Sequence, residues 1–124
     1  GLLPDMQTDI TLSYSDQILI IDAKYYQHSL QENFGAHKVH SGNLYQMYTY
    51  VKNKEAQVKD ADRKVSGMLL YARTNELLAP DDVYHISGNK ISVKTLDLNK
   101  EFSCISAQLD RIVKDQFGIE KRAS

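Results

Sequence analysis

Cysteine is nearly missing from this chain: Cys104 stands alone. One thiol excludes an internal disulfide and suits a reducing, cytoplasmic setting. Cys104 itself is expected to serve as a small buried apolar group. Long hydrophobic runs are also missing. None approaches the roughly 18 residues of a membrane span, and the first residues do not read as a secretory leader. There is no surplus of positive charge either, the formal net charge being −1. A free-standing DNA-binding domain is more often basic, so a tight hold on nucleic acid would need a local patch or a partner. The G-x-x-x-x-G-K-[ST] signature of a phosphate-binding loop is lacking. So is any Ser–His or Cys–His context for nucleophilic catalysis. No internal repeat or low-complexity tract occurs. Gly1-Leu2-Leu3-Pro4 carries no initiator Met, and the expectation is a fragment of a longer subunit.

What is there suffices for one globular domain over residues 1–124: 25% charged and 42% hydrophobic residues. Thr8 to Ser13 alternates Ile10 and Leu12 with polar residues, as a half-buried strand does. Tyr14 to Gln17 reads as a turn, and Gln17 to Tyr25 as an Ile-rich strand. Gln27 to Val39 reads as a loop, with a short helical piece near Ser29 to Asn33. Ser41 to Gln57 is the best helix: Leu44, Met47, Tyr48 and Val51 recur at helical spacing, and Ser41 suits the N-cap. The mixed charges from Lys52 to Lys64 read as a solvated linker. Ser66 to Ala72 is a buried strand and Asn75 to Asp82 a connection. Val83 to Ile86 and Lys90 to Leu98 flank a hairpin turn at Ser87-Gly88-Asn89. Ser103 to Phe117 is an amphipathic helix with Ile105, Leu109, Ile112 and Val113 on one face, ended by Gly118. The order is mixed α/β with an antiparallel hairpin first.

The chemistry gathers on that hairpin. The stretch from Ile18 to Ile21 reads as a buried strand, yet it delivers Asp22 and Lys24 with only Ala23 between them. If the turn is tight and Tyr14 faces Gln17, counting back along both strands puts Asp9 opposite Asp22. Asp22 and Lys24 share a face because the side-chain period is two. Two carboxylates this close repel each other, and a divalent cation relieves that repulsion. Mg²⁺ takes one or two carboxylates with water and phosphate completing its shell. Lys24 can then orient a water or balance charge on a phosphate. The plain alternative is a cross-strand acid pair with Lys24 as its ion-pair partner on a wet face. Gln46 and Tyr50, four apart on the predicted helix, share a face too. Their amide and hydroxyl suit phosphate oxygens or a base edge.

Asp9, then Asp22-Ala23-Lys24, then Gln46-x-x-x-Tyr50 resembles the PD-(D/E)xK nuclease superfamily, in the branch with a Q-x-x-x-Y helix. More narrowly, "TDITL", "IIDAKYY", "HSGNLYQMYTYV" and a late "KTLDLN" resemble the C-terminal nuclease domain of the McrC family. These are the endonuclease subunits of McrBC modification-dependent restriction systems. The likeness runs roughly from Leu3 to Leu109. It implies a restriction-endonuclease-like αβββαβ core, a mixed sheet flanked by helices, with the N-terminal core helix missing from this fragment. It implies Asp9 and Asp22 as metal ligands with the backbone carbonyl of Ala23, Lys24 as the catalytic lysine, and Gln46 and Tyr50 supporting the site or touching DNA. Mg²⁺ is the implied cofactor, with Mn²⁺ substituting. The implied partners are DNA and a GTP-hydrolysing AAA+ subunit, with weak homodimerisation for double-strand cleavage and no membrane. Pro4-Asp5 spells the "PD" letters, but its spacing makes Asp5 a decoy. Two rivals stand beside this reading: a nuclease of the same branch in recombination or repair, and an inactive nuclease-like binding module. The remaining candidates are weaker. His37-x-x-His40 lacks a third ligand of its own type, Glu32 is a lone loop acid, and His28 and His85 read as surface residues.

Overall fold

The computed structural model describes residues 6–26, 41–58, 62–73 and 81–119. Strands β1 (Met6–Tyr14) and β2 (Gln17–Tyr26) precede helix α1 (Ser41–Gln57). Strands β3 (Lys64–Arg73), β4 (Asp82–Ile86) and β5 (Asn89–Asp97) follow, and helix α2 (Phe102–Phe117) comes last. One five-stranded sheet runs in the order β1-β2-β3-β5-β4. Its central pairs, β2–β3 and β3–β5, are parallel; the outer hairpins β1–β2 and β4–β5 are antiparallel. This α/β architecture is compatible with the core that the resemblance implied. The order differs in that two strands, not three, precede α1 among the described residues.

Both hairpins rest on left-handed turn residues. Ser15 has φ 54°, and Ser87 and Gly88 have φ 49° and 84°. Positive φ at both central residues, as in Ser87-Gly88, or at the first alone, as at Ser15, matches the twist of a two-residue hairpin. The sheet is covered on both faces, as parallel strands require. On one face Ile18, Ile20, Val65, Leu69, Tyr71, Ile91 and Val93 pack under Met47 and Val51 of α1. On the other, Leu19, Ile21, Met68, Leu70 and Leu96 meet Phe117, Ile105, Ile112 and Val113 of α2. Each such buried aliphatic side chain stabilises the fold by about 1.5–3 kcal/mol.

Two devices set the helix positions. A Cβ on Gly67 would stand 2.6 Å from Met47 Cγ and Sδ and 3.0 Å from Val51 Cγ2, so α1 lies on bare β3 backbone. Glutamines fix α2. Gln108 exchanges two hydrogen bonds with the Asp97 backbone, and Gln116 joins Ser66 and Ser92 across the sheet. Gln17 donates to the Phe117 carbonyl, and Gly118, with φ 75°, ends the helix in the left-handed cap.

Two expectations for α2 need correction. Cys104 is exposed, not buried, because the helix docks through Ile105 and turns its neighbour away. Leu109 is 39% exposed; the docked stripe narrows to Ile105, Ile112, Val113 and Phe117. Among the described residues, no helix is long and apolar enough to cross a membrane.

Candidate active site

The alternation that builds the α1-side core continues past it. Ile18 and Ile20 bury under α1, and Asp22 and Lys24 follow on the same face of β2. Across the hairpin Asp9 pairs with Asp22, the register that a tight turn dictates. Facing residues of such a pair have Cα atoms about 4.5–5.5 Å apart. Asp9 stands exposed on the edge strand, whereas Asp22 is 1% and Lys24 3% exposed. Lys24 Nζ lies 3.0 Å from Asp22 Oδ2. The acid–lysine pair is therefore a buried ion pair, and the wet-face alternative does not hold for it.

Half of the Asp22 carboxylate has no hydrogen-bond partner among the described residues. Its Oδ1 is buried without a hydrogen bond. Burial pushes the Asp22 carboxyl above its ordinary range; the Lys24 hydrogen bond and charge oppose this, and neighbouring Asp9 adds to the rise. A buried lone pair without a donor is costly, and a second carboxylate beside it makes the spot attractive to a cation. The donor set fits Mg²⁺ or Mn²⁺, both oxygen-seeking ions. Ala23 pairs with Thr8 on one side and Leu70 on the other, and its methyl packs on the α2 face. Only its backbone could serve the site. No group of three or more His, Cys, Asp or Glu converges among the described residues, so water and phosphate oxygens would complete the shell.

The helix pair divides. Tyr50 packs against the core and, with Asp9 and Ile20, lines an open groove beside the acids. Gln46 is exposed and is not among the residues lining that groove. Asp5, His28, Glu32, His37 and His40 lie outside the described residues, and His85 is exposed.

Sequence reasoning passed over Tyr71. It pairs with Lys24 from the β3 side, is buried, and its hydroxyl accepts a hydrogen bond from Asn43 Nδ2 at 3.1 Å. The alternation of Gly67, Leu69 and Tyr71 carried the face information, but only the β2–β3 register brings the phenol beside the lysine.

Comparison with known proteins finds a restriction enzyme similar to this chain. The type IV methyl-directed restriction enzyme EcoKMcrBC of Escherichia coli (strain K12) is 37% identical over 109 residues, which are 88% of this chain. The chain is a homologue of a segment of that McrBC enzyme, as the McrC-like residues indicated. It spans 30% of the relative's length. No family model matches the chain.

Proposed function

We propose that this chain is a single nuclease domain of an McrC-like restriction subunit, a Mg²⁺-dependent DNA endonuclease that also accepts Mn²⁺. The observation that carries the reading is the register-paired Asp9 and Asp22, with one buried, unpartnered oxygen and Lys24 bound to the other. Asp9, Asp22 and the Ala23 carbonyl would hold the cation. A bound Mg²⁺ supplies charge stabilisation at a phosphate oxygen and a lowered pKa for water. Lys24 keeps one N–H on Asp22 Oδ2 and has further N–H groups to orient the attacking water or neutralise charge growing on the phosphate. Tyr50 presents its hydroxyl from the groove wall, and Gln46 offers an amide to the DNA backbone one turn away. In this reading a GTP-driven McrB-like AAA+ subunit recognises modified DNA and brings it to the domain. Two weakly associated copies would cut the two strands.

Plasmid cleavage at high protein concentration with Mn²⁺ tests the proposal. Nicking is expected, and Asp22→Ala and Lys24→Ala are each expected to abolish it. If the chain alone is silent, the assay is repeated with the full-length subunit and its AAA+ partner. Silence there as well would remove the enzyme reading and leave an inactive DNA- or subunit-binding module.

A further inference from the structure

The acid hairpin opens into a groove that the chemistry above uses only at one end. Its floor is Asp9 and Ile20, and its wall is one row of α1: Tyr50, Asn53, Lys54 and Gln57. The cavity volume is about 340 Å³, and the groove is open to solvent. Spacings of three and four residues keep the row on a single helix face. Other positions of α1 are committed elsewhere. Met47 and Val51 press on Gly67, while Lys52 reaches the Ser87 carbonyl and Glu55 accepts from Asn89. The row from Tyr50 to Gln57 faces the acid hairpin across this groove.

The wall has a uniform chemistry. A phenol, two amides and an ammonium all donate hydrogen bonds, and none of the four is acidic. None of these side chains is hydrogen-bonded to another described residue. A row of donors without partners among the described residues, starting beside a carboxylate pair, complements a polymer of regularly spaced acceptors, which a phosphodiester backbone is. From Tyr50 to Gln57 the helix rises about 10 Å, close to the length of about three nucleotide steps along one strand.

We propose that this groove seats the phosphate backbone of the strand to be cut, over about three nucleotides on one side of the scissile bond. Lys54 makes the ionic contact, and Tyr50, Asn53 and Gln57 make neutral ones. The proposal rests on the nuclease reading above and adds the substrate's path. It also shows how a chain of net charge −1 can hold DNA, through local donors rather than a basic field.

The test is fluorescence anisotropy of an end-labelled DNA duplex with the full chain carrying Asp22→Asn, in Mg²⁺ and across a salt series. Lys54→Gln is expected to reduce the slope of log affinity against log salt by about 0.9. Asn53→Asp with Gln57→Glu is expected to weaken binding by about tenfold, since both changes turn donors into anions facing phosphate. Lys114→Gln, on the exposed side of α2, is expected to change neither. No binding by the parent, or wall variants that match its affinity and salt slope, would overturn the groove assignment. So would a self-association in sedimentation that the wall substitutions abolish without altering DNA binding. Cleavage by the chain with an intact Asp22 is scored separately. Normal cutting with unaffected wall variants removes only the groove, whereas predicted binding losses without any cutting remove only the nuclease reading.

Discussion

Replacing Lys24 by Met should unmask what holds Asp22 in place. The ammonium and carboxylate meet at 3.0 Å with side chains 4% and 2% exposed, and Asp22 Oδ1 already lacks a donor. Met fills the space of the lysine stem, so no large cavity opens. What is lost is the only counterion in contact with the buried carboxylate among the described residues. Breaking a buried pair from one side costs about 3–5 kcal/mol, and the exposed edge at Asp9 argues for the lower end, about 3 kcal/mol. For a domain of this size that lowers Tm by roughly 10–15 °C. The loss must depend on pH. Burial raises the Asp22 carboxyl above its unfolded value of 3.8 even with Lys24 present. The folded state therefore holds the proton more tightly, and this contribution fades as pH rises from about 3.8 through the folded value. Removing Lys24 deletes both influences that lower the carboxyl, so the variant loses stability over a wider window. Urea melts in EDTA should show a small difference from the parent near pH 4 and the full difference near neutrality, with unchanged m-values. Pairing Lys24→Met with Asp22→Leu should restore the lost stability, because an apolar pair of similar volume equals or exceeds a buried ion pair. A Lys24→Met chain as stable as the parent at neutral pH, or a difference that ignores pH, would refute the reasoning.

Gly67→Ala is expected to cost about 1–3 kcal/mol by overpacking against Met47 and Val51. The cost should shrink in a Met47→Ala background, measured by denaturant melts of the double-mutant cycle. Asn43→Ala and Tyr71→Phe each remove the bond between Asn43 Nδ2 and the Tyr71 hydroxyl, a contribution of about 0.5–1.5 kcal/mol. A double-mutant cycle should return a coupling of that size between them; full additivity would show that the bond contributes nothing. Asn89 donates to Glu55 and to the Val65 carbonyl, so Asn89→Ala should destabilise by about 1–3 kcal/mol. The Asn89 hydrogen bond holds the Glu55 carboxyl below 4.5. Its stabilising share is present above that value and is lost as pH falls through the folded one. NMR titration should therefore find the Glu55 carboxyl moving back up in Asn89→Ala.

The hairpin was readable because its information is local. A two-residue turn fixes the pairing of both strands, so Asp9 opposite Asp22 followed from counting. Helix α1 was readable because its apolar spacing and its ends lie within one segment. The parallel pairings were not readable. That β3 lies beside β2, and Tyr71 beside Lys24, is a pairing between segments far apart in sequence, and no local pattern encodes it. Burial of Lys24 was hidden for the same reason, since a lysine two residues from an acid is as often solvated. On α2, periodicity found the helix but not the width of its docked stripe. The glutamine contacts fix the helix rotation, and they set Cys104 and Leu109 outside the stripe.

One alternation of side chains along β2 does two jobs, and the second works against the first. Ile18 and Ile20 add to the core under α1. Asp22 and Lys24, next on the same face, carry charge into the same layer. An apolar pair there would be at least as stable, so folding alone does not account for these residues. Their position suits the site proposed for them. β2 is bounded by β1 and β3 on its two edges, which holds the lysine and one acid rigidly, while the edge strand brings the other acid to solvent. Rigid donors at the border of a dry core keep their orientation without reorganising. The border also leaves one carboxylate oxygen without a hydrogen-bond partner among the described residues, where the proposed cation would sit. Ligand binding to such a site stabilises the folded chain by mass action. Mg²⁺ or Mn²⁺ should thus raise Tm in the parent and fail to do so in the Asp22→Leu, Lys24→Met chain. Stability and site occupancy would then trade against each other at a single pair of residues.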